Sequence, residues 1–143
     1  IRRQRQMCIR DRYYQHIQQM ANQDSRVILT GFIQGQALKE LYSNAYIYVL
    51  PSDLEGMPMS LLEAMSYGNC CLTSDIPECA EVVEGHAATF QHGSVEFLRK
   101  KLQELLENDD LVQHYKANAA DYIVGKYNWD DVTDQTLNLY GGE

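Results

Sequence analysis

Short apolar runs alternate with longer amphipathic stretches along most of this chain. Tyr13, Ile17, Met20 and Ala21 recur at helical spacing and predict a helix over about 13–22, ended by Asp24-Ser25. Val27-Ile28-Leu29 is a continuous apolar run that reads as a buried parallel strand leading to Gly31-Phe32-Ile33. Ala37, Leu38, Leu41 and Tyr42 mark one face of a helix over 36–44, and 45–50 reads as the next buried strand. The following helix opens near Pro58, whose missing N–H suits a first turn, and closes at Gly68, which can take a left-handed cap. A strand over 69–73, a turn through Ser74-Asp75-Ile76-Pro77 into a helix holding Ala80, Val82 and Val83, and a last short strand within 85–90 continue the alternation. Such alternation over roughly 60 residues argues for a doubly wound parallel sheet with right-handed crossovers, and ligands of such sheets bind at the carboxyl edge. Beyond it, Ser94 caps an amphipathic helix to Leu106 whose stripe is Phe97, Leu98, Leu102, Leu105 and Leu106. Asn108-Asp109-Asp110 opens another helix to about Val124, before Gly125.

Length and charge narrow the classes. With 143 residues, 45% of them hydrophobic, there is room for one domain with a real core. The formal charge of −8 argues against a nucleic-acid backbone or an anionic membrane surface as the main partner. Five of the twelve basic residues fall within 1–12, against one acidic residue there, so the remainder carries seven basic and nineteen acidic residues, a charge of −12. Residues 1–12 read as a solvated helical lead-in, a basic contact arm or residues foreign to the fold, and 13–143 as the α/β domain with its C-terminal helices from about 94. No run approaches the ~18 apolar residues that span a bilayer, and the first twelve lack the apolar core of a signal peptide, so a cytoplasmic location is expected. Cys8, Cys70, Cys71 and Cys79 lack metal-ligand spacing and read as reduced thiols, with Cys70 and Cys71 on opposite faces of one strand.

The stretch with chemistry in it is Pro51-Ser52-Asp53-Leu54-Glu55-Gly56-Met57-Pro58-Met59-Ser60-Leu61-Leu62-Glu63. A helix start at the carboxyl edge of a sheet presents free N–H groups and a positive dipole end, which favours an anion such as a phosphate. Glu55 and Glu63 would repel that anion, so they are assigned to hydroxyls, one holding a ribose diol and the other a sugar beyond a diphosphate. Ser60 stands outside any nucleophile elbow, which argues against a hydrolase triad. His16, His86, His92 and His114 lie in unrelated contexts and read as surface or structural residues, and Tyr46 and Tyr48 read as packing residues.

Glu55 and Glu63, with seven residues between them and Ala64-Met65 and Gly68 behind, resemble the E-x7-E signature of retaining nucleotide-sugar glycosyltransferases of the GT-B fold, most like family 4. Gly31-Phe32, Leu41-Tyr42, Pro51-Ser52, Thr73-Ser74-Asp75, Glu81-Val82-Val83 and Tyr127-Asn128-Trp129 fall in that family's order. The resemblance implies a Rossmann-like doubly wound sheet, the incomplete C-terminal domain of a GT-B fold. It implies a nucleoside-diphosphate sugar as donor, no other cofactor and no metal, and hexosyl transfer to an acceptor. Glu55 would face the transferred sugar as the catalytic residue, Glu63 would bind the ribose, and the backbone of Gly56, Met57, Pro58, Met59, Ser60, Leu61 and Leu62 would contact sugar and diphosphate. In that backbone set the N–H groups of Met59, Ser60, Leu61 and Leu62 would be the chief donors. Ile33, Gln34 and Gly35 match the segment that holds the nucleobase, and Trp129 a core or interdomain anchor. The family's diphosphate-binding Arg and Lys precede this stretch, and neither Arg26 nor Lys39 matches them. Partners implied are the nucleotide sugar and a missing N-terminal acceptor domain, through which alone a peripheral membrane contact would be made; no nucleic acid is expected, and this piece is expected to be inactive alone. A nucleotide-sugar epimerase of the same fold, or a non-catalytic Rossmann-like binding module, stays open beside this reading.

Overall fold

The computed structural model describes residues 2–141, with side chains from Arg12 onward except that of Trp129. Cys8, the other side chains before Arg12 and the anchoring role of Trp129 lie outside what is described. The chain divides into two compact units, Ile1–Gly35 and Gln36–Glu143.

In the first unit, helix α1 (Arg2–Ala21) runs without a break through Arg12-Tyr13. The strand expected at Val27-Ile28-Leu29 does not form: these side chains are 50%, 79% and 43% exposed, and the one main-chain bond there is a turn from the Val27 N–H to the Asp24 carbonyl. A parallel strand needs a neighbour to complete its hydrogen bonds, and a unit this short buries too little apolar surface to hold one by packing. Among its described side chains, Ala21 is the buried one.

The second unit holds the sheet. Helix α2 (Gln36–Asn44) leads into strand β1 (Ile47–Leu50); helix α3 (Met59–Ser66), strand β2 (Cys70–Ser74), helix α4 (Pro77–Val83) and strand β3 (Ala88–Phe90) follow. The strands pair in parallel in the order β1-β2-β3, with Ile47 opposite Cys70, Leu50 opposite Thr73, Leu72 opposite Ala88 and Ser74 opposite Phe90. β1 is half-buried rather than buried, because as an edge strand it has a neighbour on one side. β2, in the centre, is buried throughout.

Side chains alternate across the sheet as a pleat requires. Cys71 joins a core of Leu61, Met65, Cys79, Val83 and Ile123 on one face. Cys70 and Leu72 join Phe90, Leu105 and Val112 on the other. Helices therefore cover both faces, α3 and α4 on one and α5 (Val95–Glu107) on the other, while α6 (Asp109–Lys126) contributes Val112 to one core and Ala119 and Ile123 to the other. The Ser94 hydroxyl accepts from the Phe97 N–H, the cap expected from the sequence, and the Asn108 side chain accepts from the Leu111 N–H where the sequence expects a helix to open. Two stripe residues of α5, Phe97 and Leu106, are exposed at 47% and 63%. Helix α7 (Trp129–Gly141) ends the described chain. No helix among the described residues is long and apolar enough to cross a membrane.

Candidate functional site

Parallel pairing brings the loops after β1, β2 and β3 to one edge of the sheet. The loop after β1 carries Glu55, and α3 carries Glu63. Leu61, Ala64 and Met65, each fully buried, anchor the inner face of α3, and this turns Glu63 outward.

Pro58 takes the N-cap of α3 rather than the first turn, with φ −75° and ψ 69°. Its carbonyl accepts from both the Leu61 and Leu62 N–H groups, at 2.9 and 3.1 Å, and the Met59 N–H donates to the Met57 carbonyl at 2.8 Å. Three of the four amides expected to face a ligand are thus already engaged. The Ser60 N–H makes no main-chain bond of this kind and is the free donor of the turn. The buried Leu61 side chain points into the core, while Met57 and Met59 are about half exposed.

The carboxylates are held differently. The Ser52 hydroxyl donates to Glu55 Oε1 at 2.5 Å, and the Tyr42 hydroxyl donates to Glu63 Oε2 at 3.2 Å. Burial pushes the Tyr48 phenol above the ordinary tyrosine value, against a lowering hydrogen bond from the Ser60 side chain, and Cys71 and then the charges of Glu55 and Glu63 add smaller upward pushes. Burial, Tyr48 and Glu63 likewise push Tyr42 up to about 12. Both hydroxyls keep their protons at neutral pH, and that of Tyr42 serves as the donor to Glu63.

Glu63 also lines an open groove of about 550 Å³, with Met57, Met59 and Leu62 on one side and Tyr127 and Val132 on the other; Glu55 is not part of its wall. Gly56 has no positive φ, and an added Cβ there would meet nothing within 4 Å. Ile33, Gln34 and Gly35 belong to the first unit, where Ile33 is half-buried, Gln34 and Gly35 are exposed, and Gly35 has φ +62°.

Sequence reading missed the residues that tie these loops together. His92 Nε2 meets Asp53 Oδ1 at 3.2 Å, and the His92 N–H donates to Asp75 Oδ1 at 2.7 Å. Tyr42, read from the sequence as part of one helix face, places its hydroxyl on Glu63, and Tyr48, expected to serve packing, feels the charge of both glutamates. No local signal marks these partners, because strand pairing makes them neighbours.

Residues 10–122 match the family Glycosyl transferases group 1. The chain belongs to this family. Among its relatives, this glycosyltransferase-family chain is 26% identical over 117 residues to an uncharacterized glycosyltransferase of Methanocaldococcus jannaschii, covering 80% of this chain and 30% of that protein. It is 31% identical over 105 residues to the serotype-specific mannosyltransferase WbdA of Escherichia coli, covering 73% of this chain and 13% of that protein. In fold it is similar to sucrose-phosphate synthase from Thermosynechococcus elongatus, with a TM-score of 0.77 at 23% identity over 90% of this chain and 33% of that one. TarM gives a TM-score of 0.67 at 21% identity over 74% of this chain and 22% of that one. The fold is therefore that of GT-B glycosyltransferases, and the chain spans a third or less of the length of these relatives.

Proposed function

We propose that this chain is the donor-binding, C-terminal part of a retaining, family 4-like glycosyltransferase that moves a hexosyl group from a nucleoside-diphosphate sugar to an acceptor. Glu63 accepts hydrogen bonds from the ribose diol, Glu55 meets the hexose hydroxyls, and the Ser60 N–H donates to the diphosphate between them. The observation that carries this reading is that both glutamates flank one start of a helix at the carboxyl edge of a parallel sheet, each with a hydroxyl donor fixing its carboxylate. Catalysis would rest on positioning and on electrostatic stabilisation of the departing diphosphate. The reading calls for no metal. It leaves the acceptor, and most of the positive charge on the diphosphate, to other parts of a longer protein.

Calorimetry tests it. Nucleoside diphosphates should bind, their 2′,3′-dideoxy analogues should bind more weakly, and Glu63→Ala should lower affinity by about 1–3 kcal/mol, the value of a charged hydrogen-bond pair, with little change in stability. Equal affinity of Glu63→Ala and the unmutated chain would remove the ribose role.

A further inference from the structure

The loop carrying Glu55 is held to the sheet by side chains alone. No main-chain N–H from Ser52 to Gly56 donates to another main-chain group. Leu54 is 80% exposed and the Asp53 side chain 83%. A loop with exposed, unbonded main chain opens at little cost, yet this one is tied at two adjacent residues. The Ser74 hydroxyl, at the end of β2, donates to the Ser52 carbonyl at 2.6 Å, and Ser52 in turn donates to Glu55. One residue further, Asp53 meets His92 from the loop after β3. His92 is itself fixed, since its N–H donates to Asp75 Oδ1 and the Asp75 N–H donates to the Phe90 carbonyl at 3.0 Å.

The three loops of the carboxyl edge are thus joined into one unit, and His92 is the one basic residue among them. The charged groups facing its ring and main chain are Asp53 and Asp75, both acidic. An exposed pair of this type contributes little to global stability. Its effect falls on the segment it ties down, two residues from Glu55.

We propose that Asp53 and His92 form a latch that positions the Glu55 loop for the hexose of the donor. Both are positioning residues, and the inference rests on the donor-binding reading above. Bare nucleoside diphosphate, which needs Glu63 and the helix start, should feel the latch little. The affinity added by the hexose should depend on it.

Two readouts on the full chain decide this. One is the rate of cleavage after Glu55 by a glutamate-specific protease, which needs the loop to open and needs no ligand. The other is the ratio of affinities for uridine or guanosine diphosphate and for the corresponding hexose ester. His92→Ala should speed cleavage there and cut the hexose increment, each by about fivefold, as expected for loss of an exposed pair, while the melting temperature stays put. His92→Gln, which keeps a donor near Nε2, should restore most of both. Asp53→Asn combined with His92→Ala should be no worse than either alone. Unchanged cleavage and increment in His92→Ala overturn the latch, as does a parallel loss of bare-nucleotide affinity and melting temperature, the mark of a merely structural role. Faster cleavage in His92→Ala, together with no binding of any nucleotide by the unmutated chain, overturns the donor reading instead.

Discussion

Tyr42 couples the Glu63 carboxylate to the core. Its hydroxyl donates to Glu63, and its ring stacks on Tyr67 at 5.4 Å and tilts against Tyr48 at 5.9 Å. Tyr42→Phe keeps the packing and deletes the donor. Affinity for a nucleoside diphosphate should therefore fall by about 0.5–1.5 kcal/mol, the net worth of one hydrogen bond, with the melting temperature nearly unchanged; calorimetry and thermal unfolding on the same samples separate the two effects. The loop and helix that carry the two glutamates were legible in the sequence, because the signals for them are local. Tyr42 as a donor, and His92 with its two aspartates, were not, since their partners are distant along the chain and become neighbours through strand pairing. The engagement of the Met59, Leu61 and Leu62 N–H groups within the turn was not legible either, for a related reason. Which N–H groups stay free depends on where the Pro58 carbonyl points, and residue type does not set that.

Elements defined by local chemistry were the readable ones. Ser94 and Asn108 cap α5 and α6, and Gly68 terminates α3 at φ +71°. Gly68→Ala would meet no severe clash, its nearest neighbour being the Lys116 carbonyl at 3.7 Å. The left-handed backbone alone should then cost about 1–2 kcal/mol, read as a shift of the urea midpoint. By contrast, α6 continues through Gly125, where the sequence suggested a stop. An isolated glycine costs only about 1 kcal/mol in a helix. Buried Ile123, together with Lys126, whose ammonium reaches the Glu81 carbonyl and Glu84, holds the last turn. The expected strand at Val27-Ile28-Leu29 failed in the opposite sense: an apolar run states a preference, and a strand also needs a partner. On α3 the decisive contact is Leu61, fully buried beneath the site. Leu61→Ala should cost about 2–5 kcal/mol and lower nucleotide affinity only where it unfolds the chain, which denaturation curves with and without ligand would reveal.

Across the second unit, the sheet is built around β2, and its buried thiols give the molecule a definite response to alkali. Burial pushes the Cys70 thiol up to about 11 and Cys71 higher still, and Tyr42 stands at about 12 for the same leading reason. A thiol that ionises near pH 9 in the unfolded chain and near 11 in the folded one stabilises the fold fully below pH 9. That contribution is lost as pH rises through 11, because the unfolded state gives up its proton first. Resistance to urea should therefore stay level from neutral pH to about 8.5 and fall between roughly 9 and 12. The formal charge of −8 supplies a competing cause, since self-repulsion also grows with pH. Salt separates them: it screens charges on the surface, while the penalty for a buried thiolate persists. In about 0.5 M salt the decline should remain, and Cys70→Ala should flatten part of it. A decline that salt abolishes, and that Cys70→Ala leaves untouched, would assign the alkaline response to the acidic surface instead of to the strand at the centre of the sheet.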